Sequence, residues 1–354
     1  MQCSFVSPAQ STITVQGNDP RTVTPSDAAL RSSTPTSSSS LHPESNPDEP
    51  YVNATHVELF YFILESDFWA LRNEDLKATR PHVLKYFFMY PFLLDELLAV
   101  SALHLSTCRP AQRSLYRDEA TRLQSHAQRL FNETIRDLNS QNIIPAFLFS
   151  ALQGIATFFE IFHDPTYETS DWTFFEKVLQ SVRLLQGIRA IVYGWWHFLI
   201  TSDLKDILKE AVTLNLEWND MVTNRFEEFR VQILQSPGLD QTHATVYDKA
   251  IEELVLVYKS AFGNGSECSP HDRAAIKHAT QWLIVVPPAY TELLVQRKPE
   301  ALVILGHFAI ILHKLRACWM VGDAGQQLLL LVEAHLEETW HATLSWPKSF
   351  VKSD

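Results

Sequence analysis

The stretch from Pro299 to Val321 limits the possible folds more than any other part of the chain. Pro299 and Glu300 suit the first turn of a helix, one through its fixed φ and the other through the helix dipole. After them Leu302, Val303, Ile304, Leu305, Phe308, Ile310, Ile311, Leu312, Leu315, Trp319 and Met320 cover nearly the whole helical circumference. A helix that is apolar all round must be enclosed by others, so it belongs at the centre of a domain. The spacing predicts one helix over 299–321. Gly322 would end it in the left-handed conformation, and Asp323 with Gln326 would form a capping box opening a last helix over 324–343.

Glycine use agrees with a helical chain. Only 10 of the 354 residues are glycine, and sheets joined by tight hairpins consume more. A helix is expected from His56 to Leu71, with Val57, Phe60, Leu64 and Leu71 at helical spacing. Another opens at Phe92 and runs to about Thr107. After Pro110, the steps between Leu115, Ala120, Leu123, Ala127, Leu130, Ile135 and Leu138 keep one face apolar. Arg113, Arg117, Glu119 and Arg122 occupy a solvated face. Further helices are expected at about 145–162, 171–200, 203–216, 219–235, 244–262 and 270–285, with a turn at Gly263-Asn264-Gly265-Ser266. Alternating runs of the strand kind are rare, so the expected fold is all-α. Residues 1–50 carry 11 Ser, 6 Thr and 7 Pro with Phe5 as the single aromatic. They read as a disordered leader. The helical domain is expected over 51–347, and 348–354 as a tail.

The formal charge of -12 and the lack of any cluster of four basic residues argue against direct contact with nucleic acid, whose phosphates call for a basic face. Cys3, Cys108, Cys268 and Cys318 are too dispersed for a zinc cluster or a disulfide framework, and read as reduced thiols. His307 and His313, like His335 and His341, are six apart and point to different sides of a helix, so no metal or cofactor is expected. No run of eighteen or so uninterrupted apolar residues is present, and no membrane span is expected.

One segment carries the pattern of a reaction centre. Asn219-Asp220-Met221-Val222-Thr223-Asn224-Arg225-Phe226-Glu227 resembles the (N/D)DxxSxxxE element with which terpene cyclases hold magnesium. On a helix Asn219, Thr223 and Glu227 would stack on one face. The second, aspartate-rich cluster such enzymes need has no counterpart, since no two aspartates are adjacent. The other reading makes Asn219 a helix N-cap with a solvated face behind it.

Four ordered blocks then point elsewhere. They are Tyr90-Pro91-Phe92-Leu93-Leu94-Asp95-Glu96-Leu97-Leu98-Ala99-Val100-Ser101-Ala102-Leu103-His104-Leu105, Ala146 to Leu152, Val182 to Arg189, and Pro299 to His313. A closing Leu344-Ser345-Trp346-Pro347 follows. Together these resemble the C-terminal regulatory domain of fungal zinc-cluster transcription factors of the sterol-uptake-control type, over about Thr55 to Pro347. The resemblance implies a nuclear (or nuclear and cytoplasmic) regulator, not an enzyme. It further implies a homodimer, or a heterodimer with a related full-length factor, and a lipophilic small-molecule ligand. The family's six-cysteine DNA-binding cluster is not matched, so no direct DNA binding is expected. The ligand would lie near Leu305, Phe308, Leu312, Trp319 and Met320, with Phe92, Leu97 and Phe147 closing the far wall, and Asp323 capping the last helix outside it. The same apolar residues serve equally as plain core, which leaves a ligand-free scaffold as a further reading.

Overall fold

The computed structural model describes residues 53–66, 80–164, 172–212, 220–262 and 273–352. The Ser/Thr/Pro-rich leader, Asn219, the Gly263–Ser266 turn, Cys3 and Cys268 lie outside them. The described residues contain helices and no strand. In order these are α1 (Ala54–Glu65), α2 (Arg80–Met89), α3 (Pro91–Cys108), α4 (Arg113–Thr134), α5 (Ile143–His163), α6 (Trp172–Leu199) and α7 (Lys205–Val212). Then come α8 (Asp220–Leu234), α9 (Gln241–Phe262), α10 (Arg273–Val285), α11 (Pro288–Val295), α12 (Pro299–Lys314), α13 (Ala324–Ala334) and α14 (Ser345–Lys352). Short 3₁₀ turns stand at Pro110–Gln112 and Glu338–Leu344.

Two helices organise the packing. α3 lies against α1, α2, α4 and α5, and α12 lies against α9, α10, α11, α13 and α14. α6 joins the two groups by packing on α5 on one side and on α10 and α11 on the other. Every residue of α12 from Ala301 to His313 is buried, as an all-round apolar helix requires. α3 is nearly as enclosed, from Phe92 through Ser106, with Leu94 and Asp95 at its edge. By length and composition α3 and α5 are apolar enough to cross a bilayer, with mean hydropathies of 1.2 and 1.5. In this fold 72% and 56% of those stretches are buried inside the protein.

The structure departs from the expected elements where local signals compete. α12 ends at Lys314, and residues 315–323 form consecutive tight turns in place of the expected helix to 321. Leu315 N–H reaches Leu312 O, Cys318 N–H reaches Leu315 O, and Val321 N–H reaches Cys318 O, each closing a three-residue loop. Gly322 is left-handed as expected, at φ +47°, but it ends this turn segment. Asp323 holds the N-cap position of α13 with no side-chain hydrogen bond, so the expected capping box does not form. α11 was not anticipated; Pro288 sits in its first turn, where a missing N–H costs nothing. In α1 the buried residues are Leu59 and Ile63, whereas Val57 is 57% exposed. The core face of α4 is Tyr116, Ala120, Leu123 and Ala127, and Leu115 points outward. α14 runs on through Lys352, carrying Trp346 and Phe350 against the core.

Several helix ends are closed by side chains from distant elements, a consequence of scarce glycine. At the end of α5, Arg113 and Arg117 of α4 both donate to His163 O, at 3.1 and 2.9 Å, and Gln327 of α13 donates to Phe162 O at 3.0 Å. At the end of α10, Arg189 of α6 donates to Val285 O and Val286 O, at 2.7 and 3.1 Å, where two prolines follow. α11 closes differently. Arg297 takes a left-handed φ of +58°, with Lys298 N–H on Leu293 O and Arg297 N–H on Leu294 O, a Schellman motif built without glycine. The Arg297 guanidinium lies 3.4 Å over the Trp172 ring, which offsets part of the backbone cost.

Candidate functional site

The residues expected to hold a lipophilic ligand all fall in the core, but in different parts of it. Leu305, Phe308 and Leu312 on α12 and Met320 in the turn segment are at most 1% exposed. Phe308 packs on Trp282 of α10, with ring centroids 4.8 Å apart. Phe92 and Leu97 on α3 are as deeply buried. Phe92 meets Phe131 and Phe149 edge-on, at 5.4 and 5.5 Å, and Phe147 is half-buried at the margin of that cluster. Trp319, in the turn segment, faces α3 and α5. It stacks on His104 of α3, with centroids 4.4 Å apart and planes 11° from parallel, and leans on Phe159 of α5 at 5.3 Å. The short turns of 315–323 are what aim the indole back across α3. A continuous helix would carry it away, so the departure from the expected helix places this side chain.

Two features of this region carry polarity into an apolar setting. The Trp319 Nε1–H is buried and has no hydrogen-bond partner among the described residues. Such a donor costs about 1–3 kcal/mol if left unmet. Next to it, His163 turns Nδ1 to Phe159 O at 3.0 Å and stacks on the Phe159 ring, and Nε2 faces Gly322. Burial pulls the His163 pKa down to about 4, with Arg117 and Arg113 adding to the effect, so the ring is neutral. A Cβ at Gly322 would stand 3.1 Å from that Nε2, and the left-handed backbone there also favours glycine.

Sequence reasoning missed the buried acid of α3. Glu96 is 1% exposed, and its Oε1 has no partner. Burial foremost, then the nearby carboxyls of Glu160 and Asp95, raise its pKa to about 8. It lies inside the block Tyr90–Leu105, where a charged residue amid leucines was the available signal. Glu227, from the magnesium-type pattern, is exposed and pairs at 3.6 Å with Arg230, whose guanidinium is also held by Asp248 through two hydrogen bonds. Among the described residues no group of three or more His, Cys, Asp or Glu is placed to hold a metal ion.

Polar clefts lie apart from these core residues. One of about 640 Å³ opens among α3, α4, α5 and α6, and another of about 480 Å³ lies between α2, the start of α5 and the α6–α7 connection. None of the eight expected ligand residues lines either.

An all-helical domain, enclosed around two apolar helices, is the class this architecture describes. Comparison with known proteins agrees with that class. Residues 70–192, which take in α2 to most of α6, match the fungal specific transcription factor domain. The chain is also 23% identical over 269 residues to a Zn(2)-C6 fungal-type transcription factor from Gibberella zeae, an overlap covering 72% of this chain and 52% of that protein. The chain thus spans about half the length of the curated relative it matches. No solved structure matches it.

Proposed function

We propose that this chain is a transcription regulator acting through a helical regulatory domain. The carrying observation is the match of residues 70–192 to the fungal specific transcription factor domain. The matched segment runs over α2 to α6, and so takes in α3 and three of the four helices packed on it. The name of the Gibberella zeae relative supports the reading, as does the all-helical fold. On this reading the protein works in the nucleus, as a homodimer or paired with a related full-length factor, and contacts DNA through that partner. The charge of -12 fits a chain that makes no phosphate contacts of its own. The test fuses residues 51–354 to a heterologous DNA-binding domain in a yeast reporter strain and follows the fusion by fluorescence. Reporter output at least severalfold over the DNA-binding domain alone, with nuclear signal, is expected. Output equal to the control, from a protein that is stably expressed and nuclear, refutes the role.

The finer proposal is that the domain responds to a lipophilic ligand with one polar end. It is supported by the wholly apolar neighbourhood of Leu305, Phe308, Leu312 and Met320 and by the unmet Nε1–H of Trp319, which offers a donor to a hydroxyl or carbonyl. Those side chains are packed against one another, so a lipid would enter by displacing them. The close packing favours the ligand-free scaffold as the second reading. A thermal-shift screen with ergosterol, cholesterol and oleic acid separates the two. Binding predicts a raised Tm that Trp319→Phe reduces and Phe308→Ala abolishes, whereas a scaffold shows no shift with any of the three lipids.

A further inference from the structure

The charged wall of the 640 Å³ cleft is built from one face of each of three helices. Thr157, Glu160 and Asp164 stand at i, i+3 and i+7 along α5; Arg117 and Gln124 line it from α4, and Lys177 from α6. Each spacing keeps its residues on one side of its helix, so the charged groups converge on shared space. Both signs line the same space. Among the described residues no ion pair closes between Glu160 and either Arg117 or Lys177, and Lys177 has no carboxylate partner. Arg117 gives one N–H to His163 O, which fixes the guanidinium at the cleft wall and leaves other donors free. Glu160 is half-buried and hydrogen-bonded by Gln124, and its carboxyl acts on the buried Glu96 of α3.

Opposite charges held apart around a cavity select an occupant that carries both. A lipid would bury these charges without pairing them. A phosphate or other anion would meet Arg117 and Lys177 but also Glu160 and Asp164. A metal cation would have two carboxylates with two cations beside them. The volume lies in the range of about 300–1,000 Å³ common for small-molecule pockets, which suits a compact organic molecule with room for bridging water.

We propose that this cleft binds a zwitterion of amino-acid type, its ammonium set against Glu160 and its carboxylate against Arg117 and Lys177. The hydroxyl of Thr157 and the amide of Gln124 supply the neutral hydrogen bonds between the two poles. The site is separate from the apolar core around Trp319, and its occupancy can be measured whatever the chain does in transcription.

The test uses the purified full chain, isothermal titration calorimetry and thermal shift, with the free α-amino acids as probes. The N-acetyl and carboxamide forms of any that bind each remove one pole. At least one amino acid is expected to bind and raise Tm. Acetylation or amidation should weaken it about tenfold or more, and so should Glu160→Gln and Lys177→Ala. Lys177 is exposed, so its replacement leaves the core intact and keeps the test decisive if Glu160→Gln perturbs folding. The proposal is overturned if no amino acid binds the wild type, if blocked forms bind as well as free ones, or if Lys177→Ala binds unchanged.

Discussion

Replacing Glu96 with glutamine should change how stability depends on pH, in a direction the structure dictates. In the unfolded chain the carboxyl titrates at its ordinary 4.5; in the fold it titrates at about 8, because it is buried without a partner for Oε1 and close to Glu160 and Asp95. An acid whose pKa is raised on folding holds its proton in the native state and releases it on unfolding. Its contribution is therefore intact below pH 4.5 and is lost as pH rises towards 8. The gap of 3.5 between the two values, at about 1.4 kcal/mol per unit, corresponds to an eventual loss of about 5 kcal/mol. About 3 kcal/mol of it is gone by pH 7. Glutamine keeps the shape and carries no charge at any pH. Urea denaturation from pH 5 to pH 9 should show the wild type losing this contribution steadily up to about pH 8 and levelling above it. Glu96→Gln should stay level, with an advantage of about 3–4 kcal/mol by pH 8 and little at pH 5. On the acid side both proteins should weaken together below pH 6.5. Burial holds His163, His278 and His307 at about 4, so those rings are neutral in the fold and take up protons on unfolding. Parallel curves for the two proteins between pH 6 and pH 9 would refute the assignment of Glu96 as a buried, protonated acid.

Four further outcomes are expected. Gly325→Ala should cost about 3 kcal/mol or more by thermal denaturation, because its Cβ would stand 2.5 Å from His313 N and 2.7 Å from Ala309 O, both backbone atoms of α12. Gly187→Ala, where a Cβ meets nothing within 4 Å inside α6, should instead gain about 0.5–1 kcal/mol. Arg297→Ala loses the ring contact with Trp172 and keeps the left-handed strain, so it should be less stable than Arg297→Gly by about 1 kcal/mol in the same assay. Incubation with farnesyl diphosphate and magnesium should release no hydrocarbon by gas chromatography; release that Glu227→Ala abolishes would establish the terpenoid enzyme instead.

Much of the helical order was legible because it rests on local pattern. α5, α6, α8, α9 and α10 lie close to their expected spans, and the enclosure of α12 follows from its lack of a polar face. What was not legible depends on contacts far apart in sequence. Nothing local distinguishes Leu59 and Ile63 from Val57 and Leu64 as the inward face of α1. The Ser101 hydroxyl on Leu59 O, 2.7 Å away and 42 residues on, shows how α3 settles that choice. The turns after Lys314 were invisible for a similar reason. Their sequence is apolar enough to continue a helix, and stacking of Trp319 on His104 favours the other course. Seven of the eight ligand residues expected from resemblance are buried and the eighth, Phe147, half-buried, but the charged cleft was not legible. Its members are spread over three helices and look, one helix at a time, like solvated surface.

The borrowed helix ends bear on how this chain can be divided. A helix closed by its own glycine keeps its cap when cut away from its neighbours. α5 is closed by arginines from before it and by a glutamine about 160 residues after it, and α10 by an arginine about a hundred residues before it. Cutting the chain between α6 and α10 leaves open carbonyls on both fragments. Neither fragment can form its helices to their full length until the other is present. The two groups of helices should therefore melt in one transition, and a truncation made to isolate either half would yield frayed helices in place of a smaller domain.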